Sequence, residues 1–262
     1  MSKINLSAIL IAKNEEHNIR RCLDSLVGVI DDIVVIIDSS TTDNTFKFVS
    51  EYPGINCEIV DWKGFAETKN YALSKTKNDW VLWIDADEEL TQELKSELTS
   101  FKDSVPEFDA YFIARRAYFL GRWIKHSGWY PAKVVRLFNK KSARFNNKTV
   151  HEGLVIEGSV GTLKNDLNHY TDPNIQHYFN KFNNYTSLAA EELISKGKNF
   201  SMFDLLFRPL FLFLKMYIFR LGFLDGFQGL ILAFFSSFYV FTKYAKLWEL
   251  NRKKNDRNNS KY

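Results

Sequence analysis

Four apolar runs, each ending in polar residues, organise the first hundred positions. Leu6 to Ala12 is the first, and Glu15 to Val27 follows it with Ile19, Leu23 and Leu26 on one helical face. Ile33 to Ile37 is a second, β-branched run that ends in Asp38-Ser39-Ser40-Thr41-Thr42-Asp43-Asn44-Thr45, a segment rich in helix-capping side chains. Cys57 to Val60 is a third, leading into a helical pattern from Phe65 to Ser74, and the fourth runs from Trp80 to Asp85. Strands alternating with helices predict an α/β domain built on a mostly parallel sheet. On such sheets ligands bind outside the carboxyl ends of the strands. The clusters Lys13-Asn14-Glu15, Asp38 to Asp43 and Asp85 to Asp87 all fall at those ends.

The chemistry concentrates where the fourth run stops, in Trp80-Val81-Leu82-Trp83-Ile84-Asp85-Ala86-Asp87-Glu88-Glu89. Asp85 and Asp87 offer hard oxygen ligands to Mg²⁺ or Mn²⁺. Acidic residues after a strand also cap helices, and for Glu88, Glu89 and Thr91, ahead of the helical pattern Gln92 to Ser100, capping is the expected role. A calcium loop of EF-hand type is excluded, because counting from Asp85 the sixth and twelfth positions are Leu90 and Ser96 rather than Gly and Glu. No Gly-x-Gly-x-x-Gly follows the first strand, and no Gly-x-x-x-x-Gly-Lys-Ser/Thr occurs, so dinucleotide dehydrogenases and P-loop phosphotransferases do not fit. A nucleotide would have to be held through carboxylates and metal, which points to a sugar nucleotide.

These segments resemble the family 2 glycosyltransferases. The matching pieces are Ala8-Ile9-Leu10-Ile11-Ala12-Lys13-Asn14-Glu15-Glu16, Ile37-Asp38-Ser39 through Thr45, Gly64 through Leu73, and Asp85-Ala86-Asp87-Glu88. Later pieces, Trp129-Tyr130-Pro131, Arg136-Leu137-Phe138, Val150-His151-Glu152 and His169-Tyr170-Thr171, resemble the lipopolysaccharide-core glucosyltransferases of the WaaE type. The resemblance implies the GT-A nucleotide-diphospho-sugar fold. It also implies a UDP-sugar donor, a divalent Mg²⁺ or Mn²⁺ cofactor, inversion at the anomeric carbon, and a lipopolysaccharide-core or other cell-envelope glycan acceptor. It sets Ala12, Asn14 and Glu15 beside the nucleotide, Asp38 on the pyrimidine base, Lys69 at its flank, Asp85 at the ribose and Asp87 on the metal. Lys69 stands where the family more often has Arg, which presents a planar fork that Lys lacks. Asn44 replaces a usual Gly and tolerates the same left-handed backbone.

Glycosyl transfer needs a general base outside the metal cluster to take the proton of the attacking hydroxyl. Glu152, Glu157, Asp166 and Asp172 are the candidates. Glu152 is selected because it follows His151 in a polar and aromatic segment and matches the subgroup's His-Glu pair. His151 is a candidate for the metal shell or the donor phosphate. His169 matches a subgroup position with a structural role equally open, whereas His17, His126 and His177 are expected to be surface or packing residues. Trp123, Trp129 and Tyr130 are candidates for sugar stacking or for core. Arg136 is read as a phosphate partner or as the partner of a neighbouring acid. Two other readings stay open: transfer to a polyprenyl phosphate, which needs no base, and a non-catalytic nucleotide- or glycan-binding protein at a membrane.

Composition adds a second region. Residues 203–262 hold ten Lys and Arg against four Asp and Glu, and residues 203–248 contain eleven of the 23 Phe. A helix over Asp204 to Leu221 sets Asp204, Arg208 and Lys215 within about 40° of one another, leaving a wide apolar face. A membrane span needs roughly 20 predominantly apolar residues. Arg208, Lys215, Arg220 and Asp225 break the first apolar run, and Gly229 to Thr242 is shorter than that. Two helices lying on an anionic leaflet are therefore expected, with a helical layer over the sheet or an oligomer contact as the alternative. The expected organisation is a GT-A domain over residues 1–200, nucleotide-binding up to about 100 and acceptor-binding beyond. A membrane-association region over 201–250 and a disordered basic tail over 251–262 complete it. Cys22 and Cys57 lie in a predicted helix and strand rather than in a spaced framework, and the first strand begins within six residues with no signal-peptide pattern. Both features lead to the expectation of a cytoplasmic protein; with the carboxyl-terminal region it is expected to be peripheral on the inner face of the cytoplasmic membrane, and no nucleic-acid partner is expected.

Overall fold

The computed structural model describes residues 3–146 and 153–259, with side chains as far as residue 253. The chain divides into two units: residues 1–116 with 132–169, and residues 117–131 with 170–262. This division departs from the boundary expected near residue 200, because the stretch 117–131 and the chain from Tyr170 onward belong with the carboxyl-terminal helices.

The first unit is built on the predicted strand and helix alternation. Strands β1 (Leu6–Ala12), β2 (Asp32–Asp38), β3 (Asn56–Val60) and β4 (Trp80–Trp83) form a parallel group in the order β3-β2-β1-β4. Helices α1 (Ile19–Leu26), α2 (Thr45–Ser50) and α3 (Phe65–Ser74) make the connections. After β4 the chain forms β5 (Glu88–Leu90), α4 (Gln92–Lys102), β6 (Ala110–Phe119), β7 (Arg122–Trp123), β8 (Ala132–Asn139), β9 (Ala143–Phe145), β10 (Leu154–Ile156), β11 (Val160–Thr162) and β12 (Leu167–Asp172). The main sheet continues as β4-β8-β6-β12-β5, with β8 antiparallel to β4 and β6, and β12 antiparallel to β5.

Both sheet faces are buried, which is why β1 and β2 read as unbroken apolar runs rather than as alternations. Leu6, Ala8, Leu10 and Ala12 pack on one face with Ile19, Leu23 and Leu26 of α1 and Leu94, Leu98 and Phe101 of α4. Ile9, Val34, Ile36 and Val81 pack on the other with Ala66 and Ala72 of α3 and with Phe145. Thr91 caps α4 as expected, its Oγ1 accepting from Leu94 N at 3.2 Å. Glu88 does not share that role. It lies in β5, fully enclosed. Helix α1 starts later than its pattern predicts because Asn14 has φ 53° and the chain from Glu15 to Asn18 forms turns.

The second unit is mostly helical: α5 (Ile175–Ser195), α6 (Met202–Leu214), a π-helical turn at Lys215–Phe219, a 3₁₀ turn at Gly222–Asp225, and α7 (Gly226–Asn259). Its core joins Phe119, Ile124, Met216, Leu232 and Ala233. The Asp204 and Arg208 side chains meet at 2.6 Å, as their four-residue spacing predicts. Helix α7 continues through Asn259, so the tail expected to be disordered from Asn251 is helical over most of its length. Among the described residues one helical stretch, Gly222–Lys253, is long and apolar enough to cross a membrane, with mean hydropathy 1.4.

Leu10 is wholly enclosed at the centre of the parallel group. Leu10→Ala should cost about 2–5 kcal/mol in unfolding free energy, measured by urea denaturation.

Candidate functional site

The site residues gather where the parallel strands stop. Past β1, Asn14 Oδ1 accepts from Thr42 N at 2.8 Å, Glu15 N donates to Thr45 Oγ1 at 2.8 Å, and Glu16 N donates to Asp43 Oδ2 at 2.9 Å. These bonds stitch the loop after β1 to the loop after β2. They account for the polar cluster that the sequence sets there, since backbone groups at buried strand ends require partners. Ala12 ends β1 and is buried.

Asp38, the last residue of β2, is buried with its Oδ1 accepting from Ser40 Oγ at 2.6 Å and Ser40 N at 2.8 Å. The Lys13 ammonium stands 3.1 Å from its other oxygen. The Ser40 hydrogen bonds, and then Lys13, hold the Asp38 carboxyl below its usual range, so it stays an acceptor at neutral pH. Lys69 on α3 points into an aromatic cage, with its Nζ 4.0 Å from the centroid of Trp83, 5.4 Å from Phe65 and 5.6 Å from Phe145. An ammonium on a flexible stem suits such a cage.

Beyond β4 the chain turns sharply. Asp85 N donates to Glu88 Oε2 at 3.1 Å and Glu88 N donates to Asp85 O at 3.0 Å. The Asp85 side chain keeps 36% of its surface exposed, with Oδ2 held by Arg136 Nη2. The same Nη2 donates to Glu88 Oε1 at 2.6 Å, and Arg115 Nη1 lies 3.7 Å from that oxygen. Burial pushes the Glu88 carboxyl up, against the pull of Arg136. Desolvation acts on Asp85 in the same sense, but Arg136 outweighs it there and holds Asp85 below its usual range. Arg136 reaches this point because Leu137 pairs with Leu82 across β8 and β4, setting it opposite the end of β4.

Asp87 follows, its Oδ2 3.4 Å from His169 Nε2. Pairing of β12 with β5 places His169 opposite Glu88, and this register brings the imidazole to Asp87 from far along the chain. Among the described residues no three His, Cys, Asp or Glu side chains converge as a complete metal site. Asp87 and His169 offer one carboxylate and one imidazole, a pair that fits a cation of the Mn²⁺ class but does not complete its shell.

The selected base Glu152 and the candidate ligand His151 both lie outside the described residues. The other three base candidates are engaged: Glu157 lies 3.4 Å from Arg144, Asp166 accepts from Arg116 Nε at 2.9 Å, and Asp172 lies 3.2 Å from His177 Nδ1. Trp129 packs against Phe119 in the core of the second unit, whereas Trp123 and Tyr130 meet edge to face at 5.5 Å. His126 Nδ1 is 3.0 Å from the buried carboxylate of Asp225, a polar pairing rather than the plain surface or packing role expected.

The glycosyl transferase family 2 profile matches residues 7–171, well over half of the chain. The chain belongs to glycosyl transferase family 2. This family 2 enzyme is 34% identical over 259 residues to an uncharacterized glycosyltransferase of Rickettsia typhi, covering 95% of this chain and 88% of that one. It is 32% identical over 254 residues to the lipopolysaccharide core biosynthesis glycosyltransferase LpsC of Rhizobium meliloti, covering 94% and 93%. Its fold is GT-A. A mannosyltransferase of Pyrobaculum calidifontis, solved with GDP-Man and Mn²⁺, superposes with a TM-score of 0.54 at 14% identity, covering 94% of this chain and 87% of that one.

Two features of this family 2 site were not reached from sequence. Glu88 was assigned to capping, and the Arg136 bridge was one of two options. A signal existed in Val134-Val135-Arg136-Leu137-Phe138, since a charge inside a buried strand demands a buried partner. Asp166, one of the base candidates, is buried, and its carboxylate accepts from Arg116 Nε at 2.9 Å, a charge-assisted bond that an amide weakens. Asp166→Asn should therefore lower stability by about 1–3 kcal/mol while leaving UDP affinity unchanged, as read by thermal melting and calorimetry.

Proposed function

We propose that this glycosyltransferase moves a hexose from a UDP-sugar, with inversion, to a lipopolysaccharide-core or related envelope glycolipid. The observation that carries the reading is the grouping of Asp85, Asp87 and His169 where β4 ends, on the same sheet edge as Asp38 and Asn14. Asp38 receives the pyrimidine, Asp85 the ribose, and Asp87 with His169 holds Mg²⁺ or Mn²⁺. That cation supplies charge neutralisation for the leaving diphosphate. Glu152 takes the acceptor proton as the hydroxyl oxygen bonds to the anomeric carbon from the face opposite the diphosphate. The carbon–oxygen bond to the diphosphate breaks, and UDP departs with that electron pair. The likeness to LpsC along almost the whole of both chains supports an envelope glycan as acceptor.

The second unit supports action at a lipid surface. Phe203, Phe207 and Phe211 of α6, Phe219 and Phe223 in the turns, and Phe227 and Phe234 of α7 are all exposed. The acids of this stretch are withdrawn: Asp204 pairs with Arg208, and Asp225 is buried against the backbone of Lys125 and His126. What remains outside is apolar and cationic, complementary to an anionic leaflet. Helix α7 packs on α5 through Phe182 and Phe238 and through Lys246 bonded to Asn183. Helix α5 exposes Asn180, Asn183, Asn184 and Glu191, which could not follow α7 into hydrocarbon. We therefore place α6 and α7 in the interface of the inner leaflet rather than across it.

Calorimetric titration of UDP and UDP-sugars, with Mn²⁺ and then with chelator, tests the donor reading. Metal-dependent binding supports it; no binding under either condition overturns it. Asp87→Ala should abolish that metal-dependent binding while melting within about 1 kcal/mol of the parent, because the pair with His169 is long and partly exposed. Phe207→Glu with Phe211→Glu should release the protein from phosphatidylglycerol vesicles in a flotation assay, with UDP affinity unchanged.

A further inference from the structure

Arg136 heads the fully buried side chains by volume, at 1% exposure, and lies at the donor site. Its Nη2 serves both Asp85 and Glu88, and its Cζ lies 4.2 Å from the centroid of Trp83. Nε and Nη1 make no hydrogen bond among the described residues. A guanidinium used on one nitrogen only is not placed for the bidentate grip on a single anion that usually explains a buried Arg. Its effect falls on how the two carboxylates are held. Glu88 turns one oxygen to Arg136 and the other to Asp85 N, so it is directed inward. Asp85 has Oδ2 committed to Arg136 while its side chain remains partly exposed.

This arrangement bears on how a metal enters. Divalent cations of this class take about six ligands. Asp87 and His169 supply two, and the neighbouring carboxylate of Asp85 is the natural third. Arg136 competes for that carboxylate, and its positive charge opposes a bare dication nearby.

Resting on the UDP-sugar reading above, we propose that Arg136 is a positioning residue of the donor site. It holds Asp85 toward the nucleoside and withholds it from the cation, so that a divalent metal binds well only together with a nucleoside diphosphate. The diphosphate supplies the missing oxygens and the negative charge that cancels the guanidinium's opposition. Metal and nucleotide then strengthen one another by the same factor, as linkage requires.

The test is a Mn²⁺ titration of the full chain followed by electron paramagnetic resonance of the free ion, with and without UDP. In the unmodified protein, UDP should raise Mn²⁺ affinity by about tenfold or more, the ordinary scale of such coupling. In Arg136→Gln, Mn²⁺ affinity without UDP should rise, its enhancement by UDP should shrink, and UDP affinity should fall. A purely structural Arg136 would leave the nucleotide-free titration unmoved in any variant that folds. Since removing one member of a buried ion cluster can prevent folding, the paired change Arg136→Met with Glu88→Leu removes opposite charges together. It should show the same gain in nucleotide-free Mn²⁺ binding. A folded variant that titrates like the parent overturns the proposal, as does tight Mn²⁺ binding by the unmodified protein without UDP. If neither variant folds, tight Mn²⁺ binding by the unmodified protein without UDP still overturns the proposal. Failure of the donor reading looks different: UDP then fails to bind the unmodified protein either with Mn²⁺ or without it.

Discussion

A guanidinium enclosed between two carboxylates at the end of β4 is the constraint around which the first unit is arranged. Charges at that depth persist only when paired, so Arg136, Asp85 and Glu88 must arrive together from strands far apart in sequence. Pairing β8 antiparallel to β4 delivers Arg136, and the turn after β4 brings Glu88 back under Asp85. Strand β5 then pairs with β12, which carries His169 to Asp87. A register slip of one residue in either pairing would turn the functional side chain to the other face. The requirement to satisfy a buried charge therefore specifies the same registers that assemble the candidate donor site.

Legibility in the sequence followed the range of the interactions. The bounds of β1 and α3 match their patterns, β2 extends one residue beyond its run at each end and β3 one at its start, because buried strands are written as contiguous apolar residues. The polar clusters after β1 and β2 were legible for a related reason. Asn14, Asp43 and Thr45 accept from backbone groups close in sequence or across one loop pair. Glu88 was misassigned because a carboxylate before a helix usually serves that helix, and its true partner lies 48 residues away. The antiparallel half of the sheet, the division of the chain near residues 117 and 170, and the His169 contact share that character. They depend on which strands pair, and spacing along one chain does not encode that.

The second unit follows a different economy. Its helices enclose a core of Phe119, Met216 and Leu232, yet leave a row of phenylalanines outside while drawing Asp204 and Asp225 in. A soluble helical layer gains stability by the opposite choice, turning apolar residues inward and acids outward. Scattered exposed hydrophobic residues are ordinary, but this many phenylalanines exposed on neighbouring helices is what the proposed action at a lipid surface calls for. The exposed polar residues of α5 set how deep that contact can go, which the composition of α7 considered alone could not have shown.

Electrostatic balance ties the site together. Asp38 is met by Lys13, Asp85 and Glu88 by Arg136 with Arg115 near, and Asp87 by His169, while Lys69 stands among aromatic rings. Each carboxylate already has a basic neighbour, and the remaining ammonium is directed at π faces. A dianionic diphosphate entering so balanced a site would raise its negative charge in surroundings of low dielectric, where uncompensated charge is costly. A divalent cation arriving with it would restore neutrality at the cost of the Asp87–His169 contact alone, leaving the pairs of Lys13 and Arg136 standing. Under the proposed function, the internal counter-ions that let the carboxylates be buried would also make the metal a companion of the nucleotide rather than a permanent resident of the protein.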